Sequence, residues 1–215
     1  ILFPQQMTFH ECKRCVSDED NRRMEEICHE MQALQGDNID ECIQLIKRHF
    51  KPVTFDEAID RIKYFPRGYL SVCYFNDTCH DVARRVLGGT KAVKGVRLVN
   101  RKRVTGLYSG ILMVNYEYVV HRVNRKSGTV ELRCVDEGTM IVTTMNHVNK
   151  NMHWSYTRTC HSLQGTSVEG KIILHDLWSK YITKEYLYTA ITRARCIDNV
   201  YYVEDGPRWE WKRGG

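Results

Sequence analysis

The sequence lacks any run of about eighteen consecutive apolar residues, so no segment is long and apolar enough to span a membrane. It also lacks a secretory signal, and its nine cysteines are scattered through strand-like and helix-like segments rather than framing short loops. These absences predict a reduced, intracellular protein of the cytoplasm or nucleus. The abrupt start at Ile1 predicts a fragment of a longer protein.

One group of cysteines is close enough to be weighed as a zinc site. His10, Cys12 and Cys15 are followed by the pair formed by Cys28 and His29. The second pair lacks the usual zinc spacing, and the residues between the two pairs have a helical pattern. We therefore predict free thiols and no bound metal, with zinc as the alternative.

The length of the chain limits the number of domains, and its charge limits the kind of partner. The 215 residues can bury a sizeable core, as one domain or as a domain with a smaller insertion. The formal charge of +6 permits an acidic partner such as nucleic acid without requiring one. Segments of strand and helix pattern predict an α/β core, in which residues 37–68 are interpreted as a helical hairpin that serves packing.

Two separated stretches carry the residues most suited to phosphate chemistry. The first, residues 156–165, has the pattern of a short strand that breaks into a turn. The second, residues 186–195, is an amphipathic run that ends in Arg193 and Arg195. Arginine presents a rigid fork of donors that matches phosphate oxygens, so this pattern is typical of a phosphoryl-transfer site.

These stretches resemble motifs V and VI of superfamily 1 helicases, whose usual forms are T-x-H-K-x-Q-G and Y-V-A-x-T-R-A. The first reads Thr-Cys-His-Ser-Leu-Gln-Gly from Thr159 to Gly165, and the second reads Tyr-Thr-Ala-Ile-Thr-Arg-Ala from Tyr188 to Ala194. The two occur in the family's order and at its spacing. The sequence departs from the family at Ser162, where Lys is common.

The resemblance implies a RecA-like domain, which is a parallel sheet with flanking helices, interrupted here by a small inserted β-barrel. It implies that Thr159 and His161 hold the backbone of a nucleic-acid strand. It also places Gln164, Gly165 and Glu169 on the nucleotide side. For Glu169, a solvated turn carboxylate is the alternative.

A further arginine belongs to this resemblance. Arg14 follows a short extended piece and precedes Ser17 and a run of acidic residues, which is a typical helix start. Strand, arginine and capped helix resemble motif IV of the RecD/Dda-like branch, F-x-x-x-x-R-x-x-D. The resemblance implies that Arg193 and Arg14 both reach the γ-phosphate of ATP, where they offset developing charge. A surface arginine beside a helix cap is the alternative for Arg14.

Asn76 stands between a β-rich run at 69–75 and a helical pattern closed by Gly88 and Gly89. An Asn at this junction lies at the carboxyl edge of a sheet, where α/β proteins bind ligands. In the helicase family an Asn or Thr here touches the nucleic-acid backbone. A plain N-cap of the helix explains Asn76 equally well.

Residues 91–150 contain several short β-rich runs separated by glycine turns, which is typical of a small barrel. In the RecD/Dda-like branch of superfamily 1B, a barrel resembling the Src-homology-3 fold, called domain 2B, is inserted just before motif V. Residues 95–100 and 109–110 approximate its pattern. The resemblance thus divides the chain into a discontinuous RecA-like domain 2A, residues 1–90 and 151–215, and this insertion.

Basic residues and tyrosines are interleaved along the predicted barrel. Basic side chains follow a phosphate backbone, and aromatic faces stack on bases. We therefore predict nucleic-acid contacts from Arg101, Lys102 and Arg103. A solvated barrel surface is the alternative.

The motifs expected of a first helicase domain are absent from the sequence. It has no G-x-x-x-x-G-K-[ST] phosphate loop and no strand ending in Asp-Glu before residue 10. The resemblance therefore implies the second half of an ATP-dependent DNA helicase that moves along single-stranded DNA from 5′ to 3′. ATP and Mg²⁺ would be bound mainly by a missing N-terminal RecA-like domain of the same polypeptide. This chain alone would be inactive.

Two other functions stay open. One is an RNA helicase of a positive-strand virus, acting in the host cell, because such enzymes share motifs V and VI and several carry an N-terminal zinc domain. The frequent Cys, Asn, Lys and Tyr and the loose motif match favour such a source. The other is a nucleic-acid-binding module without a catalytic role.

Overall fold

The computed structural model describes residues 15, 17–34, 38–65, 67–108, 110–163, 168 and 170–206. Four of the predicted site residues lie outside the described residues, as do two residues of the zinc alternative: Arg14, Gln164, Gly165, Glu169, His10 and Cys12.

The described helices, in chain order, are α1 (Asp18–Ala33), α2 (Ile39–His49), α3 (Phe55–Tyr64), α4 (Asn76–Leu87), α5 (Met145–Asn151) and α6 (Lys184–Ile191). The described strands are β1 (Lys51–Val53), β2 (Tyr69–Cys73), β3 (Arg97–Asn100), β4 (Val104–Thr105), β5 (Ile111–Leu112), β6 (Glu117–Asn124), β7 (Thr129–Cys134), β8 (Met140–Thr144), β9 (Met152–Trp154), β10 (Thr157–Thr159), β11 (Lys171–Leu174) and β12 (Val200–Val203).

A parallel sheet with helices on both faces forms the centre of the molecule. Its five strands lie in the order β1-β12-β11-β2-β10, and every described pairing between them is parallel. Helices α1, α2 and α6 share a core with one face, and α3 and α4 share a core with the other. This arrangement confirms the predicted RecA-like α/β sheet.

Alternation along the strands explains how one sheet serves two cores, because successive side chains of a strand point to opposite faces. In β11, Ile172 and Leu174 belong to the core shared with α1, whereas Ile173 belongs to the core shared with α3. All three side chains are fully buried. Such continuous apolar burial is expected of a parallel strand covered on both sides.

The interpretation of residues 37–68 as a helical hairpin is wrong. Strand β1 lies between α2 and α3 and pairs in parallel with β12, with Pro52 opposite Tyr202. A proline is accommodated there because β1 lies at the edge of the sheet. The two helices therefore lie on opposite faces of the sheet instead of packing as a pair.

A second, antiparallel sheet is inserted between α4 and β10. Its five strands lie in the order β8-β7-β6-β3-β9, and a small hairpin of β4 and β5 accompanies it. A turn separates β5 from β6, and Asn115 in this turn adopts a positive φ of 66°. The sequence boundary at residue 150 falls inside α5, and β9 still pairs with β3.

The two sheets are joined where β9 turns into β10. On one side of this turn, the Ser155 N–H donates to the Arg97 carbonyl of the antiparallel sheet at 3.1 Å. On the other side, the Ser71 N–H of the parallel sheet donates to the Tyr156 carbonyl at 2.9 Å. The edge of the parallel sheet and the inserted sheet are thus held close together.

Within the described part of the chain, no helix is long and apolar enough to cross a membrane. The same residues contain no group of three side chains suited to hold a metal ion. The cysteines described are free thiols, and most of them are buried.

His175, which follows β11, makes folding sensitive to acid. Its side chain is 1% exposed, its Nε2 lies 2.9 Å from the Ser71 hydroxyl, and burial lowers its pKa from 6.5 to about 3. As the pH falls below 6.5, the unfolded chain therefore binds a proton that the folded chain excludes, so stability decreases until the folded pKa is reached. We expect His175 to remove about 2 kcal/mol of stability between pH 7 and pH 5.

Urea unfolding at both pH values measures this effect. The pKa values of His147 and His153 are also lowered. The free energy of unfolding of wild type therefore changes more steeply with pH than His175 alone would cause. The difference between wild type and His175→Gln isolates the residue, and His29→Gln, at an exposed position on α1, is the control. An equal loss of stability in wild type and His175→Gln would show that His175 is protonated in the folded protein.

Candidate functional site

The two stretches that resemble motifs V and VI lie against each other along α6. At the start of the helix, the Cys160 thiol donates to the Tyr186 carbonyl at 3.7 Å. Beyond its end, the Val168 N–H donates to the Arg193 carbonyl at 2.9 Å, and Val168 forms a parallel bridge with Ala194. Segments that are separate in sequence are therefore in contact at both ends of α6.

Helix α6 is fixed to the sheet by its apolar side. Leu187, Ala190 and Ile191, at the helical spacing predicted from the sequence, are fully buried against the core shared with α1 and α2. The Tyr186 hydroxyl lies 3.3 Å from the Val72 carbonyl and 3.4 Å from the His175 carbonyl. These contacts set the position of the segment that follows the helix.

Arg193 lies just past α6, near the amino edge of the sheet. Its Nε–H donates to the Thr189 carbonyl at 3.1 Å, which anchors the guanidinium against the last turn of the helix. The neighbouring segment is tightly packed, because a Cβ on Gly170 would lie 2.8 Å from the Gly68 carbonyl. Gly68 and Gly170 immediately precede β2 and β11, which places this contact at the amino ends of those strands.

Asn76 is the first residue of α4 rather than its N-cap, so the alternative explanation given above is wrong. The N-cap is Phe75, which makes no capping hydrogen bond through its side chain. Instead, the buried Asp176 accepts from the N–H groups of Tyr74 at 2.9 Å and Phe75 at 3.2 Å, and from the Thr78 hydroxyl at 2.7 Å. A carboxylate after β11 therefore holds the turn that carries Asn76.

Thr159 is the last residue of β10, and His161 lies two residues further along the chain. The Thr159 carbonyl accepts from the Ser162 hydroxyl at 2.7 Å, within the short 3-10 helix Cys160–Leu163. His161 is exposed on that helix. Because β10 pairs in parallel with β2, Thr159 and Asn76 both lie at the carboxyl edge of the sheet.

Arg101 connects the inserted sheet to the motif V segment. Its Nη1 donates to Asn115 Oδ1 at 3.2 Å and to the Ser162 carbonyl at 3.3 Å. Lys102 and Arg103 are exposed in the loop that follows. Of these three predicted nucleic-acid contacts, Arg101 thus also has a structural position between the two sheets.

A fully buried Asn100 shapes that loop. Its Nδ2 donates to the carbonyls of Lys102 at 2.8 Å, Leu112 at 3.1 Å and Met113 at 3.1 Å. Its Oδ1 can only accept, so His147 Nε2, at 3.0 Å, is the donor of that bond. Asn100 therefore fixes the backbone on which Arg101 and its neighbours are carried.

A cavity of about 230 Å³ lies between the edge of the parallel sheet and the inserted sheet. It is lined by Asn76, Cys79, His80, Lys91, Asn149, Lys150, His153, Trp154, Thr157, Arg158 and Thr159. Two residues predicted to bind nucleic acid, Asn76 and Thr159, thus share a cavity with five basic or imidazole side chains. Among the described residues, no carboxylate lines it.

Cations dominate the electrostatics of this cavity. Partial burial, followed by the charges of Lys91 and Arg101, lowers the pKa of His153 to about 4, so His153 is neutral at pH 7. Burial also lowers the pKa of Lys91. The Lys91 ammonium donates to the Asn149 carbonyl at 2.8 Å and lies 4.9 Å from the centre of the Trp154 ring.

Several residues of the cavity did not emerge from the sequence as site residues: Lys150, His153, Trp154 and Arg158. Their chain positions fall on α5, β9 and β10, and the fold brings them to Asn76 on α4. One local signal was available, because Arg158 is adjacent to Thr159 in the motif V segment.

Comparison with known proteins places the fold. The sequence matches no protein-family model and no curated protein. The structure is similar to Bacteroides Pif1 bound to single-stranded DNA, with a TM-score of 0.57, 12% identity, and coverage of 90% of this chain and 50% of that chain. It is equally similar to a chain from a study of DNA unwinding at forked double-stranded DNA by two coordinating Pif1 helicases, with a TM-score of 0.57, 15% identity, and coverage of 90% and 48%.

The chain therefore has the fold of part of these two solved structures. This finding agrees with the resemblance drawn from the two motifs, which rested on separate evidence. The chain spans about half the length of the solved helicases that it matches.

Proposed function

We propose that this chain is the C-terminal motor domain of an ATP-dependent superfamily 1 helicase or translocase. The contact between the two motif-like stretches carries the proposal, because the Cys160 thiol donates to the Tyr186 carbonyl at 3.7 Å on a RecA-like sheet. Just beyond the first stretch, the Val168 N–H also donates to the Arg193 carbonyl at 2.9 Å. A chance match of two short patterns gives no reason for such a contact. A motor domain accounts for this contact, because it must couple the residues that contact the nucleotide to those that contact the nucleic-acid strand.

A first RecA-like domain of the same polypeptide would supply the phosphate loop and hold ATP and Mg²⁺. The proposal rests on the missing phosphate loop and on the half-length match to Pif1 structures. In the closed cleft, Arg193 and Arg14 would reach the γ-phosphate. Gln164, Gly165 and Glu169 would lie on the nucleotide side. The guanidinium groups would offset the charge that develops in the transition state.

The carboxyl edge of the sheet would grip single-stranded DNA. This assignment is supported by Asn76 and Thr159 in one cation-lined cavity and by His161 exposed next to it. Bacteroides Pif1, one of the similar structures, is bound to single-stranded DNA. Arg101, Lys102 and Arg103 would extend the grip onto the inserted sheet, which we assign as domain 2B. The resemblance of that insertion favours movement from 5′ to 3′.

ATP hydrolysis tests this function. In the polypeptide that joins this chain to the first RecA-like domain, we expect single-stranded DNA to stimulate hydrolysis. The 215-residue chain alone should hydrolyse no ATP, because it lacks a phosphate loop. Hydrolysis that does not respond to single-stranded DNA would contradict the motor assignment. Binding of DNA without any hydrolysis by the longer polypeptide would favour a nucleic-acid-binding module.

A further inference from the structure

Part of β6 has a neighbouring strand on one side only. Toward β3, its hydrogen bonds end at Val120, whose N–H donates to the Val96 carbonyl at 2.9 Å and whose carbonyl accepts from the Gly95 N–H at 2.8 Å. Toward β7, pairing continues as far as Asn124. Among the described strands, β7 is therefore the only neighbour of residues 121–124. Such a free edge presents backbone N–H and C=O groups to a further strand.

The segment that leads into β3 leaves open space beside this edge. Gly95 adopts a φ of 86°, which favours glycine, and the Val96 N–H donates to the Val93 carbonyl at 3.1 Å. The chain therefore turns before it can continue along β6. The result is a groove of about 490 Å³ between the turn at residues 92–94 and the free edge of β6.

A β-bulge directs a cation toward this groove. The residues opposite Val120 and Arg122 are adjacent in β7, so His121 is an extra residue in β6. In a regular strand, Arg122 would share the face of Val120, which is fully buried. With the extra residue, Arg122 lies on the opposite face, where it is exposed and lines the groove. Bulges commonly re-aim a side chain in this way.

The charge of the groove is positive and uncompensated. Lys94, Arg122 and Arg125 line it and are exposed, and no carboxylate among the described residues lines it. Within the described part of the chain, the side chains of these three residues make no hydrogen bond or ion pair. Even Glu131, which lies opposite Arg122 on β7, forms no ion pair with it. An anionic occupant would therefore meet three available cations.

The apolar part of the groove favours a peptide over a nucleic-acid strand. The other lining side chains include Ala92, Val93 and Val123, and no aromatic ring among the described residues lines the groove. Sites for single-stranded nucleic acid commonly stack bases on aromatic faces, which this groove does not offer. An extended peptide instead uses main-chain hydrogen bonds at a strand edge and places alternate side chains in pockets.

The terminal segments outside the described residues do not complement this groove. Residues 1–14 and residues 207–215 each contain more basic than acidic residues. Like charges disfavour their binding beside three cations. An acidic occupant must therefore come from outside this chain.

We propose that the groove beside residues 121–124 binds an extended, acidic segment of a partner protein, which adds to β6 as a further strand. Lys94, Arg122 and Arg125 pair with its carboxylates, and an aliphatic side chain between these carboxylates packs on Val93. None of the lining residues belongs to the stretches that resemble motifs V and VI. The surface is thus an addition to the motor function and does not depend on it.

Binding of a fluorescent, capped heptapeptide, in which valines alternate with aspartates, to the 215-residue chain tests the assignment. We expect Arg122→Gln combined with Arg125→Gln to lower the affinity about 3- to 30-fold, as for the loss of two exposed ion pairs. Added salt should also weaken binding to wild type. Arg22→Gln combined with Arg133→Gln removes the same charge at exposed positions outside the groove and should leave the affinity unchanged.

N-methylated versions of the same peptide test the strand addition on wild type. Only alternate residues of a strand direct their N–H groups toward a given neighbour. We therefore expect N-methylation of one alternate set of residues to weaken binding at least about 10-fold, and N-methylation of the other set to be tolerated. This comparison holds even if the arginine variants fail to fold. An equal effect of the two sets would overturn the strand addition.

The remaining outcomes decide between occupants. A heptapeptide in which valines alternate with lysines should not bind. If the acidic peptide binds wild type and the Arg122/Arg125 variant equally, or does not bind wild type, the proposal is wrong. If an oligothymidylate binds through Arg122 and Arg125 and the acidic peptide does not, the groove is a nucleic-acid contact and the proposal is wrong. None of these results bears on the motor assignment, which DNA-stimulated ATP hydrolysis by the longer polypeptide decides.

Discussion

In the polypeptide that joins this chain to the first RecA-like domain, replacing Arg193 with alanine should lower DNA-stimulated ATP hydrolysis by about 10³–10⁵-fold, the usual effect of removing an arginine finger. The residue follows α6, and its Nε–H bond to the Thr189 carbonyl at 3.1 Å anchors the side chain at the end of the helix. An anchored cation requires little rearrangement when charge develops on the γ-phosphate. This preorganisation is the reason that the expected loss is large.

The Arg193→Ala variant should still fold. The bond that ties Arg193 to the segment after the motif V stretch uses the backbone carbonyl of Arg193, at 2.9 Å from the Val168 nitrogen, and alanine keeps that carbonyl. The buried residues of α6, Leu187 and Ile191, are also unchanged. We therefore expect lost hydrolysis together with retained nucleotide binding and a wild-type unfolding midpoint.

Two further variants make the measurement specific. Arg193→Lys keeps the charge but loses the guanidinium fork, so it should recover only part of the rate. Arg133→Ala removes an exposed arginine on β7 and should hydrolyse ATP at the wild-type rate. Equal rates for wild type and Arg193→Ala would show that the motif VI assignment is mistaken.

The sequence predicted those helices and helix starts that are determined by residues a few positions apart. The helical spacing of Leu187, Ala190 and Ile191 is formed within one helix, and these side chains are buried. Ser17 was predicted to start α1, and its hydroxyl accepts from the Asp20 N–H at 3.1 Å. Such features depend on residues a few positions apart, which a sequence displays directly.

Features that depend on distant partners were not predicted. Three residues around Pro52 become a strand because β12 lies beside them in the fold. The turn before Asn76 is held by Asp176, which is far along the chain. The same reason applies to the cation-lined cavity, since its walls come from separate segments and Arg158 has no local pattern that distinguishes it from a surface arginine.

We expect Asp176 to affect both the stability of the protein and the position of Asn76, a predicted nucleic-acid contact. Its carboxylate accepts from two backbone N–H groups in the turn between β2 and α4 and from the Thr78 hydroxyl in the first turn of α4. Burial raises its pKa, and these three hydrogen bonds act against that rise. The carboxylate also lies near the amino end of α4, where negative charge is favourable.

We expect Asp176→Ala to lower the free energy of unfolding by about 3–5 kcal/mol, measured in urea, because it leaves buried donors without an acceptor. Alanine is also unfavourable at the positive φ of 65° that Asp176 adopts. Asp176→Asn keeps an acceptor oxygen and tolerates that φ, so it should lose about 1 kcal/mol. Asp198→Ala, at an exposed position, is the control.

The affinity of the same variants for single-stranded DNA then separates the role of Asp176 in stability from its role in positioning Asn76. Under conditions where Asp176→Ala remains folded, a displaced turn should move Asn76 at the cavity and weaken binding of single-stranded DNA. Asp176→Asn should bind close to wild type, since its turn is held by the retained acceptor. An Asp176→Ala protein that unfolds at the wild-type midpoint would show that solvent or a neighbouring group replaces the carboxylate. Loss of stability with unchanged affinity would remove Asn76 from the strand contacts and leave Thr159 and His161 as the predicted contacts of that edge.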